Sequence, residues 1–363
     1  MRAAVCRTFG APLEIEDLHL DPPVSGEVRV RVAACAICHS DIDYARGAWG
    51  GTLPAVYGHE AAGVVEEVGV DVHELQPGDH VVVSLLRSCG ECFFCARGEP
   101  HLCEGQFPAD RDGGRLRAPD GERVLQAMNT GALAEEVVVD QSQLAVVPSS
   151  LPLEAASLLG CAVLTGFGAV VDRAAVTEGS SVVVIGTGGV GLNCVQAAAF
   201  RGARPIVAVD ISPAKLDAAT AFGATHVVDP ALADVATDVR ALTGGRGADY
   251  VFVTVGRAEA IEQGLSYVRR GGTLVVVGMP PSGETFDVVA VDLAHNDVRI
   301  LGSKMGSARL ADAVPRLVAL YDQGRLKLDE LITARYPLEQ VNEAIAAAGD
   351  GTTLRNLIVF DSA

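Results

Sequence analysis

Four cysteines within fifteen residues form the most distinctive group of metal-binding side chains in this chain. They are Cys89, Cys92, Cys95 and Cys103, with two, two and seven residues between them. Four thiolates in one short segment can surround a single tetrahedral zinc ion and leave no position for water, as in structural sites. An iron–sulfur cluster is the alternative, because C-x2-C-x2-C is also a cluster motif. His101 is a rival ligand within the same segment.

A second group of possible ligands is scattered along the sequence. Cys38 follows a predicted strand, His59 lies in a Gly-His-Glu segment, and Cys161 lies in a Gly-Cys segment near the middle of the chain. Two thiolates and one imidazole would leave the fourth position of a zinc ion open, as a catalytic site requires. Spacing alone does not join these residues, and each is also compatible with a plain core position. Cys35 and Cys38 also form a C-x-x-C redox motif, although no thioredoxin-like pattern follows it.

A Gly-x-Gly-x-x-Gly turn follows an apolar strand predicted at 182–185 and opens a helix predicted at 191–201. Such a turn lets the backbone approach a pyrophosphate, whose charge a helix N-terminus favours. The next predicted strand, 206–209, ends in Asp210, which lies 19 residues after the last glycine, where an acid can bond the adenosine ribose. The pattern predicts a dinucleotide site formed by Gly186, Gly188, Gly189, Val190 and Gly191.

The elements that must position these residues are of two kinds. Up to about residue 150, short strands at 28–32, 61–69 and 80–83 alternate with Gly/Pro turns, which predicts a barrel-like all-β domain. From about residue 163, strands alternate with helices, which predicts a parallel sheet with helices on both faces. Strands of this second part are predicted at 182–185, 206–209, 250–255, 273–277 and 298–301. Its helices are predicted at 191–201, 213–222 and 258–270.

The remaining segments are a tail and a polar insertion. Helices at 310–324 and 340–348 and a strand at 357–360 are expected to return to the first domain. The segment 104–130 is rich in Asp, Gly and Pro and is predicted to be a long surface loop.

Length and charge limit the possible functions. A chain of 363 residues suggests two domains. Its formal charge of 28 − 46 = −18 argues against binding to nucleic acid.

No apolar run is long enough to cross a membrane, and the N-terminus lacks the apolar core of a signal peptide, so a cytoplasmic protein is expected. Nine cysteines in such a chain indicate metal or redox chemistry rather than disulfides.

Together these motifs resemble the zinc-dependent medium-chain alcohol dehydrogenases. The resemblance runs nearly end to end, through 58–60, 89–103, 160–166, 186–191 and 276–281. It implies an α/β plus all-β fold with three parts. These are a GroES-like β-barrel catalytic domain at 1–162, a Rossmann domain with a doubly wound parallel sheet at 163–303, and a return to the catalytic domain at 304–363.

The resemblance also implies an activity. The family transfers a hydride reversibly between a primary or secondary alcohol and NAD, giving an aldehyde or ketone. Two zinc ions per chain are implied, one catalytic and one structural. The expected partner is a small alcohol or aldehyde, with no nucleic acid or membrane, in a homodimer or homotetramer. A polyol or amino-alcohol dehydrogenase, a zinc-free quinone reductase and a non-catalytic nucleotide sensor are the rival hypotheses.

Roles follow residue by residue from the same resemblance. Cys38, His59 and Cys161 would hold the catalytic zinc, and the four clustered cysteines the structural zinc. Asp41 would bond the ring of His59, and Glu60 would replace a ligand transiently. Ser40 would accept the alcohol proton and, with Trp49 and Leu85, line the substrate pocket. The remaining implied cofactor contacts are His39, Thr165, Val190, Asp210, Lys215, Val277 and Arg355.

One position departs from the family pattern. Many members have a histidine three residues beyond the serine, and it passes the proton to solvent; here that position is Asp43. An exposed aspartate has a pKa of about 3.9 and is a weak base at neutral pH. Asp43 is therefore predicted to be an exposed bystander that orients water.

Overall fold

The computed structural model describes residues 1–360, which divide into two compact units. Unit 1 combines residues 1–162 with the chain from residue 308 onward, and unit 2 comprises residues 163–307. The strands of the first part of unit 1 are β1 (Arg2–Cys6), β2 (Glu14–Asp17), β3 (His19–Leu20), β4 (Glu27–Ala36), β5 (Ala55–Val56), β6 (Glu60–Val68), β7 (His80–Ser84), β8 (Leu116–Arg117), β9 (Arg123–Gln126), β10 (Glu136–Asp140) and β11 (Leu144–Val146). Its helices are α1 (His39–Ala45), α2 (Phe93–Ala96), α3 (Pro108–Asp112) and α4 (Leu153–Ser157).

The chain then passes through α5 (Ala162–Gly168) into unit 2, where strands and helices alternate as predicted. The strands are β12 (Val182–Ile185), β13 (Ile206–Val209), β14 (His226–Val228), β15 (Ala248–Val253), β16 (Val268–Val276) and β17 (Arg299–Gly302). The helices are α6 (Gly189–Phe200), α7 (Pro213–Ala221), α8 (Val235–Leu242), α9 (Ala258–Tyr267) and α10 (Ala290–His295). The tail that rejoins unit 1 consists of α11 (Leu310–Asp322), β18 (Ile332–Tyr336), α12 (Val341–Gly349) and β19 (Arg355–Val359).

Two sheets of unit 1 share one apolar core. The first has the strand order β2-β1-β5-β9-β8-β3, and the second has the order β11-β7-β6-β4-β19-β18, with β10 also paired to β4. In β4, Val28, Val30 and Val32 are buried, while Arg29 and Arg31 between them stay partly exposed and pair with glutamates on neighbouring strands. This alternation is the period-two pattern of a half-buried strand.

Unit 2 contains the expected parallel sheet, with the strand order β14-β13-β12-β15-β16-β17. All four residues of β12 are buried, as are those of β13, because helices cover both faces of such a sheet. The strand order reverses at β12, so the turn after β12 lies at the point where doubly wound sheets bind ligands. The expected combination of an all-β domain and a doubly wound domain is therefore correct.

The prediction of a long surface loop at 104–130 is wrong. This segment contains helix α3 and the antiparallel pair β8–β9, whose apolar residues Leu116 and Val124 are buried. Arg115 is also buried and makes a bidentate ion pair with Glu27 of β4, at 2.8 and 3.0 Å. The strands have two and four residues, too few for a periodic signal, so the Gly and Pro content dominated the prediction.

A second boundary also differs from the prediction. The helix predicted at 258–270 ends at Tyr267, and residues 268–270 begin β16. The apolar periodicity does not distinguish these residues, whereas pairing of Val268 with Ala248 of β15 fixes them as strand. Among residues 1–360, no single helix is long and apolar enough to cross a membrane, although the bent pair Leu153–Gly160 and Ala162–Arg173 passes by length and composition.

Candidate active site and metal sites

The pairing of β4, β6 and β7 brings three distant segments of unit 1 together. Cys38 follows β4 and caps helix α1, while His59 directly precedes β6. These strands are antiparallel with Cys35 opposite Ala61, so the end of β4 adjoins the start of β6. Glu60 of β6 lies opposite Ser84 of β7, whose hydroxyl donates to the Gly160 carbonyl at 2.8 Å. This bond places Cys161 beside the other two residues.

The resulting group fits a single zinc ion. The Sγ atoms of Cys38 and Cys161 and a ring nitrogen of His59 lie within 4.8 Å of one another, and all three residues are buried. His59 Nε2 lies 3.2 Å from Cys161 Sγ. Zinc bonds of about 2.3 Å to sulfur and 2.0 Å to nitrogen would separate tetrahedral ligand atoms by about 3.5 to 3.8 Å. Three protein ligands leave one position open, which is typical of a catalytic site.

The carboxylate of Asp41 orients the three ligand residues. Its Oδ1 lies 3.0 Å from His59 Nδ1 and accepts a bond from the Gly58 amide at 2.9 Å. Its Oδ2 accepts from the amide of Cys38 at 3.0 Å. One buried carboxylate therefore fixes the backbone of both ligand segments and the ring of His59. A carboxylate on Nδ1 leaves Nε2 available for a metal, the arrangement common to zinc-bound histidines.

The electrostatics of the three ligands favour a bound cation. A hydrogen bond from Cys161 holds the pKa of the Cys38 thiol well below its ordinary value, and the neighbouring His59 lowers it further. The same contact with Cys38, together with burial, raises the pKa of Cys161. Burial alone would lower the pKa of His59, but the Asp41 carboxylate raises it well above the ordinary value. Two buried thiols cannot both ionise side by side unless a cation compensates them.

Glu60 lies immediately behind this group and is completely buried. Its Oε1 accepts from the Ala162 amide at 3.3 Å and lies 3.5 Å from Arg355 Nε. Within residues 1–360, its Oε2 has no hydrogen-bond partner. Burial raises the pKa of Glu60 to about 7, although Arg355 opposes the rise. A carboxylate oxygen without a partner, next to a ligand residue, is compatible with the transient ligand that the family resemblance implies, and this role stays a prediction.

The four clustered cysteines also converge. The Sγ atoms of Cys89, Cys92, Cys95 and Cys103 lie within 4.8 Å of one another, and His101 is not part of this group. The amides of Cys89 and Gly105 donate to Cys103 Sγ, both at 3.3 Å. Sulfurs this close suit a single ion, because a four-iron cube would hold its cysteines farther apart.

The electrostatics of this cluster also favour a bound cation. Bonds from the backbone amides of Cys95 and Glu104 lower the pKa of Cys92 to about 6. Burial, together with the neighbouring Cys92 and Cys103, raises the pKa of Cys95 to about 12. The Cys92 thiol therefore ionises readily and the Cys95 thiol does not, because each new thiolate would lie beside an existing negative charge. A divalent ion removes this conflict.

The glycine turn of unit 2 forms an open cradle at the N-terminus of α6. Gly186 has φ of +86°, and a Cβ at Gly191 would lie 1.8 Å from the Gly186 carbonyl oxygen, so side chains are excluded from both positions. A Cβ added at Gly188, the residue that caps α6, would have no atom of residues 1–360 within 4 Å apart from its chain neighbours. An open backbone surface at a helix N-terminus fits a pyrophosphate.

Asp210 closes one side of this turn. The register of β12 and β13 pairs Ile185 with Val209, so the turn and Asp210 emerge together at the same edge of the sheet. Asp210 Oδ2 accepts from the amide and hydroxyl of Thr187 at 2.7 and 3.1 Å. The hydroxyl of Thr254 donates a hydrogen bond to the Gly186 carbonyl at 2.8 Å and stabilises the turn. Sequence patterns did not indicate either threonine, because Thr187 occupies a variable position of the glycine motif and Thr254 lies outside it.

Comparisons with known proteins agree with this geometry. The family model of the alcohol dehydrogenase GroES-like domain matches residues 24–149, and that of the zinc-binding dehydrogenases matches residues 189–322. Putative alcohol dehydrogenase D of Mycobacterium tuberculosis is 39% identical over 98% of this chain and 99% of its own. The NDMA-dependent alcohol dehydrogenase of Amycolatopsis methanolica is 37% identical over 99% of both chains. The crystal structure of benzyl alcohol dehydrogenase from Acinetobacter calcoaceticus has a TM-score of 0.93 and 33% identity, over 99% of both chains.

The chain belongs to the zinc-dependent medium-chain alcohol dehydrogenase family. It is an alcohol dehydrogenase, an oxidoreductase that uses zinc and a nicotinamide cofactor.

The other residues predicted for the site are distributed as follows. Thr165 is buried on α5 and donates to Met305 Sδ at 3.5 Å, and Val190 is partly exposed at the start of α6. A Cβ at Gly166 would lie 2.3 Å from the Val190 carbonyl, so α5 and α6 pack closely at this point. Lys215 is partly exposed on α7, and Val277 is buried after β16.

In unit 1, the predicted residues outside the metal ligands lie on or after α1, after β7 and at the start of β19. His39 is exposed at the start of α1, and Ser40 Oγ lies 3.8 Å from Cys38 Sγ. Trp49 and Leu85 are partly exposed, and the Leu85 carbonyl accepts from Asn129 Nδ2 at 3.4 Å. Arg355 is buried beside Glu60, and its contact with a pyrophosphate stays a prediction.

The prediction that Asp43 is exposed is wrong. Asp43 is partly buried on α1, and this burial raises its pKa, while His39 and Arg46 oppose the rise. The sequence did not reveal this burial, because the exposure of a single helical position depends on tertiary packing rather than on a local pattern. Asp43 is a stronger base than an exposed aspartate.

Replacing Cys92 with serine should remove one zinc ion and lower stability while leaving the chemistry of the other site largely intact. Structural zinc contributes its binding free energy to folding. A loss of a few kcal/mol corresponds to a fall in Tm of roughly 5 °C or more. Metal analysis and thermal unfolding would measure both effects, with Glu91→Gln as the neighbouring control. Unchanged zinc content in the Cys92→Ser protein would contradict this ligand set.

Proposed function

We propose that this protein oxidises primary alcohols to aldehydes with NAD and catalyses the reverse reduction, with one catalytic and one structural zinc ion per chain. The buried, three-ligand group of Cys38, His59 and Cys161 carries the proposal, because it has an open position and a carboxylate that orients its histidine. The closed group of four cysteines supports the second zinc ion. A medium-length or aromatic alcohol is the inferred substrate class, and a secondary alcohol is the next candidate.

Individual residues of the chain have separate roles in the proposed reaction. When bound, zinc supplies a Lewis acid that lowers the pKa of an alcohol, and the nicotinamide supplies the hydride acceptor. Asp41 holds His59 in the tautomer that presents Nε2 to the metal. Ser40 takes the alcohol proton at its Oγ, which lies 3.8 Å from the ligand sulfur of Cys38. Burial of the ligands keeps bulk water from the reacting atoms.

The direct test is a panel of kcat/KM values. Straight-chain, branched and aromatic alcohols should be assayed with NAD and with NADP, and NDMA should be added in a separate series, because one relative is named as NDMA-dependent. We expect the highest values for primary alcohols with a medium-length chain or a ring. A higher value for a polyol such as sorbitol would support the rival polyol dehydrogenase. Turnover of none of these compounds would contradict the proposed substrate class.

NAD should be preferred over NADP by roughly 10- to 100-fold in kcat/KM, because Asp210 offers hydrogen bonds to ribose hydroxyls and repels a 2′-phosphate. The adjacent Ile211 is 76% exposed and provides no charge to hold a phosphate. Asp210→Gly combined with Ile211→Arg should shift the preference toward NADP. Equal kcat/KM values for both cofactors in the unmodified protein would contradict this inference.

The assembly and compartment are further proposals. A homodimer or homotetramer is supported by β17, which ends the parallel sheet and has partly exposed Ile300 and Leu301. Its outer edge pairs with no strand among residues 1–360. The nine cysteines, all of them among residues 1–360, form no disulfide, which suits a reducing compartment such as the cytoplasm. Light scattering would give the number of chains in solution.

A further inference from the structure

The carboxylate of Asp210 accepts hydrogen bonds on both of its oxygens. Its Oδ2 accepts from the amide and the hydroxyl of Thr187, at 2.7 and 3.1 Å. Its Oδ1 accepts from the amide of Ser212 at 2.9 Å. A carboxylate has roughly four acceptor positions, so these three bonds occupy most of them. Because Asp210 is only partly buried, the remaining acceptor capacity is open to a ligand.

The parallel sheet of unit 2 fixes the backbone next to this carboxylate. The Gly186 amide donates to the Val209 carbonyl at 2.8 Å, and the Asp210 amide donates to the Val228 carbonyl at 3.3 Å. A shift of the backbone at residue 210 would therefore disturb the pairing of β13 with β12 and β14. Rotation about the side-chain torsions of Asp210 is the freedom that remains, and the three bonds to its oxygens restrict that rotation.

The side chain of Thr187 is itself well fixed. It is completely buried, and it directly follows Gly186, whose positive φ of +86° forms the turn. The Thr254 hydroxyl donates to the Gly186 carbonyl at 2.8 Å and so stabilises this turn. A β-branched side chain has few allowed rotamers, and a buried hydroxyl requires a hydrogen-bond partner. The partner of the Thr187 hydroxyl is the carboxylate of Asp210.

We propose that Thr187 is a specificity-determining positioning residue, whose hydroxyl keeps the carboxylate of Asp210 from turning aside and thereby makes the nucleotide site reject a 2′-phosphate. This inference rests on the proposed function, in which Asp210 gives the preference for NAD. A carboxylate that is already ordered accepts a ribose hydroxyl without a further loss of entropy. A 2′-phosphate, in contrast, would meet a negative charge that moves away only when hydrogen bonds are broken.

The test compares the binding of ADP-ribose with that of its 2′-phosphorylated form, by titration calorimetry on the zinc-loaded protein. Both probes lack the nicotinamide ring, so their binding is measured independently of alcohol turnover. Thr187→Val removes the hydroxyl but keeps the shape of the side chain and the backbone amide, whereas Thr187→Ser keeps the hydroxyl. Thr220→Val is the matched control, because Thr220 is exposed on α7 and its hydroxyl donates to the Leu216 carbonyl at 3.3 Å.

In Thr187→Val, ADP-ribose should bind more weakly. The ratio of Kd for the 2′-phosphorylated probe to Kd for ADP-ribose should fall roughly two- to tenfold, the effect of one hydrogen bond. Thr187→Ser and Thr220→Val should keep the ratio of the unmodified protein. If Thr187→Val does not fold, Thr187→Ala removes the same hydroxyl without placing a methyl group beside the carboxylate, and it should lower the ratio in the same way.

An unchanged ratio in Thr187→Val would overturn the inference, even if both probes bound more weakly, because an equal loss indicates damage to the turn rather than release of Asp210. A lowered ratio in Thr187→Ser would also overturn it, since the methyl group rather than the hydroxyl would then be responsible. If the unmodified protein binds neither probe, the nucleotide site and this inference fail together. If it binds ADP-ribose but oxidises no alcohol, the proposed function fails, and the ratio still decides the role of Thr187.

Discussion

Replacing Cys38 with serine should lower kcat/KM for alcohol oxidation by at least about a thousandfold and remove one of two zinc ions. Zinc stabilises developing charge by several kcal/mol, and each 1.36 kcal/mol corresponds to a factor of ten in rate. The fold should remain nearly intact, because Asp41 bonds the backbone amide of residue 38 rather than its side chain. Metal analysis, steady-state kinetics and thermal unfolding would be measured on the same preparation.

The matched control for this variant is Cys6→Ser. Cys6 is also buried in unit 1, but its Sγ lies 3.6 Å from the Thr8 carbonyl rather than beside the ligands. Cys6→Ser should therefore keep two zinc ions and a kcat/KM close to that of the unmodified protein. A Cys38→Ser protein with two zinc ions and an undiminished rate would show that Cys38 is not a ligand.

Ser40→Ala should reduce kcat/KM by on the order of a hundredfold, the lower end of the range for a lost proton-transfer group. Its hydroxyl is the side-chain group next to Cys38 Sγ on α1, and alanine leaves no group there that can take the proton. Zinc content and stability should not change, because Ser40 is not a ligand. The rate with a series of alcohols of decreasing pKa should show the smallest loss for the most acidic alcohol.

Asp43→Asn should reduce kcat/KM much less than Ser40→Ala. Burial makes Asp43 a stronger base than an exposed aspartate, but the residue remains partly exposed, so water can accept the proton in its place. Asp43→His should add proton transfer that does not depend on buffer near neutral pH. If Asp43→Asn is as damaging as Ser40→Ala, Asp43 is a member of the proton path rather than a residue that orients water.

The sequence predicted those features that local patterns determine. The strands Val182–Ile185 and Ile206–Val209 were found at their observed bounds, because fully buried parallel strands are continuous apolar runs. The spacing of the four cysteines predicted their convergence, since all of them lie in one short segment. The glycine turn was predicted from the apolar strand that precedes it and from Asp210, the acid that follows the next strand.

Features that depend on tertiary pairing were not available from patterns alone. Cys38, His59 and Cys161 come together through the register of β4, β6 and β7, and only the resemblance to a family connected them beforehand. The pair β8–β9 and the buried Arg115 were missed because strands of two and four residues are too short to show a periodic pattern. The partial burial of Asp43 is likewise a result of tertiary packing, which no local pattern specifies.

The central claim is that alcohol oxidation depends on a zinc ion at the group of Cys38, His59 and Cys161. The measurement is the initial rate of NAD reduction with benzyl alcohol. The rate is measured first on the intact protein and then after a chelator has left one zinc ion per chain. It is measured again after one equivalent of zinc, or of magnesium, has been added back. We expect the rate to fall at least about a thousandfold on chelation and to return with zinc but not with magnesium. Cys38→Ser should not recover under the same treatment. An unchanged rate in protein that metal analysis shows to have lost this zinc would contradict the account.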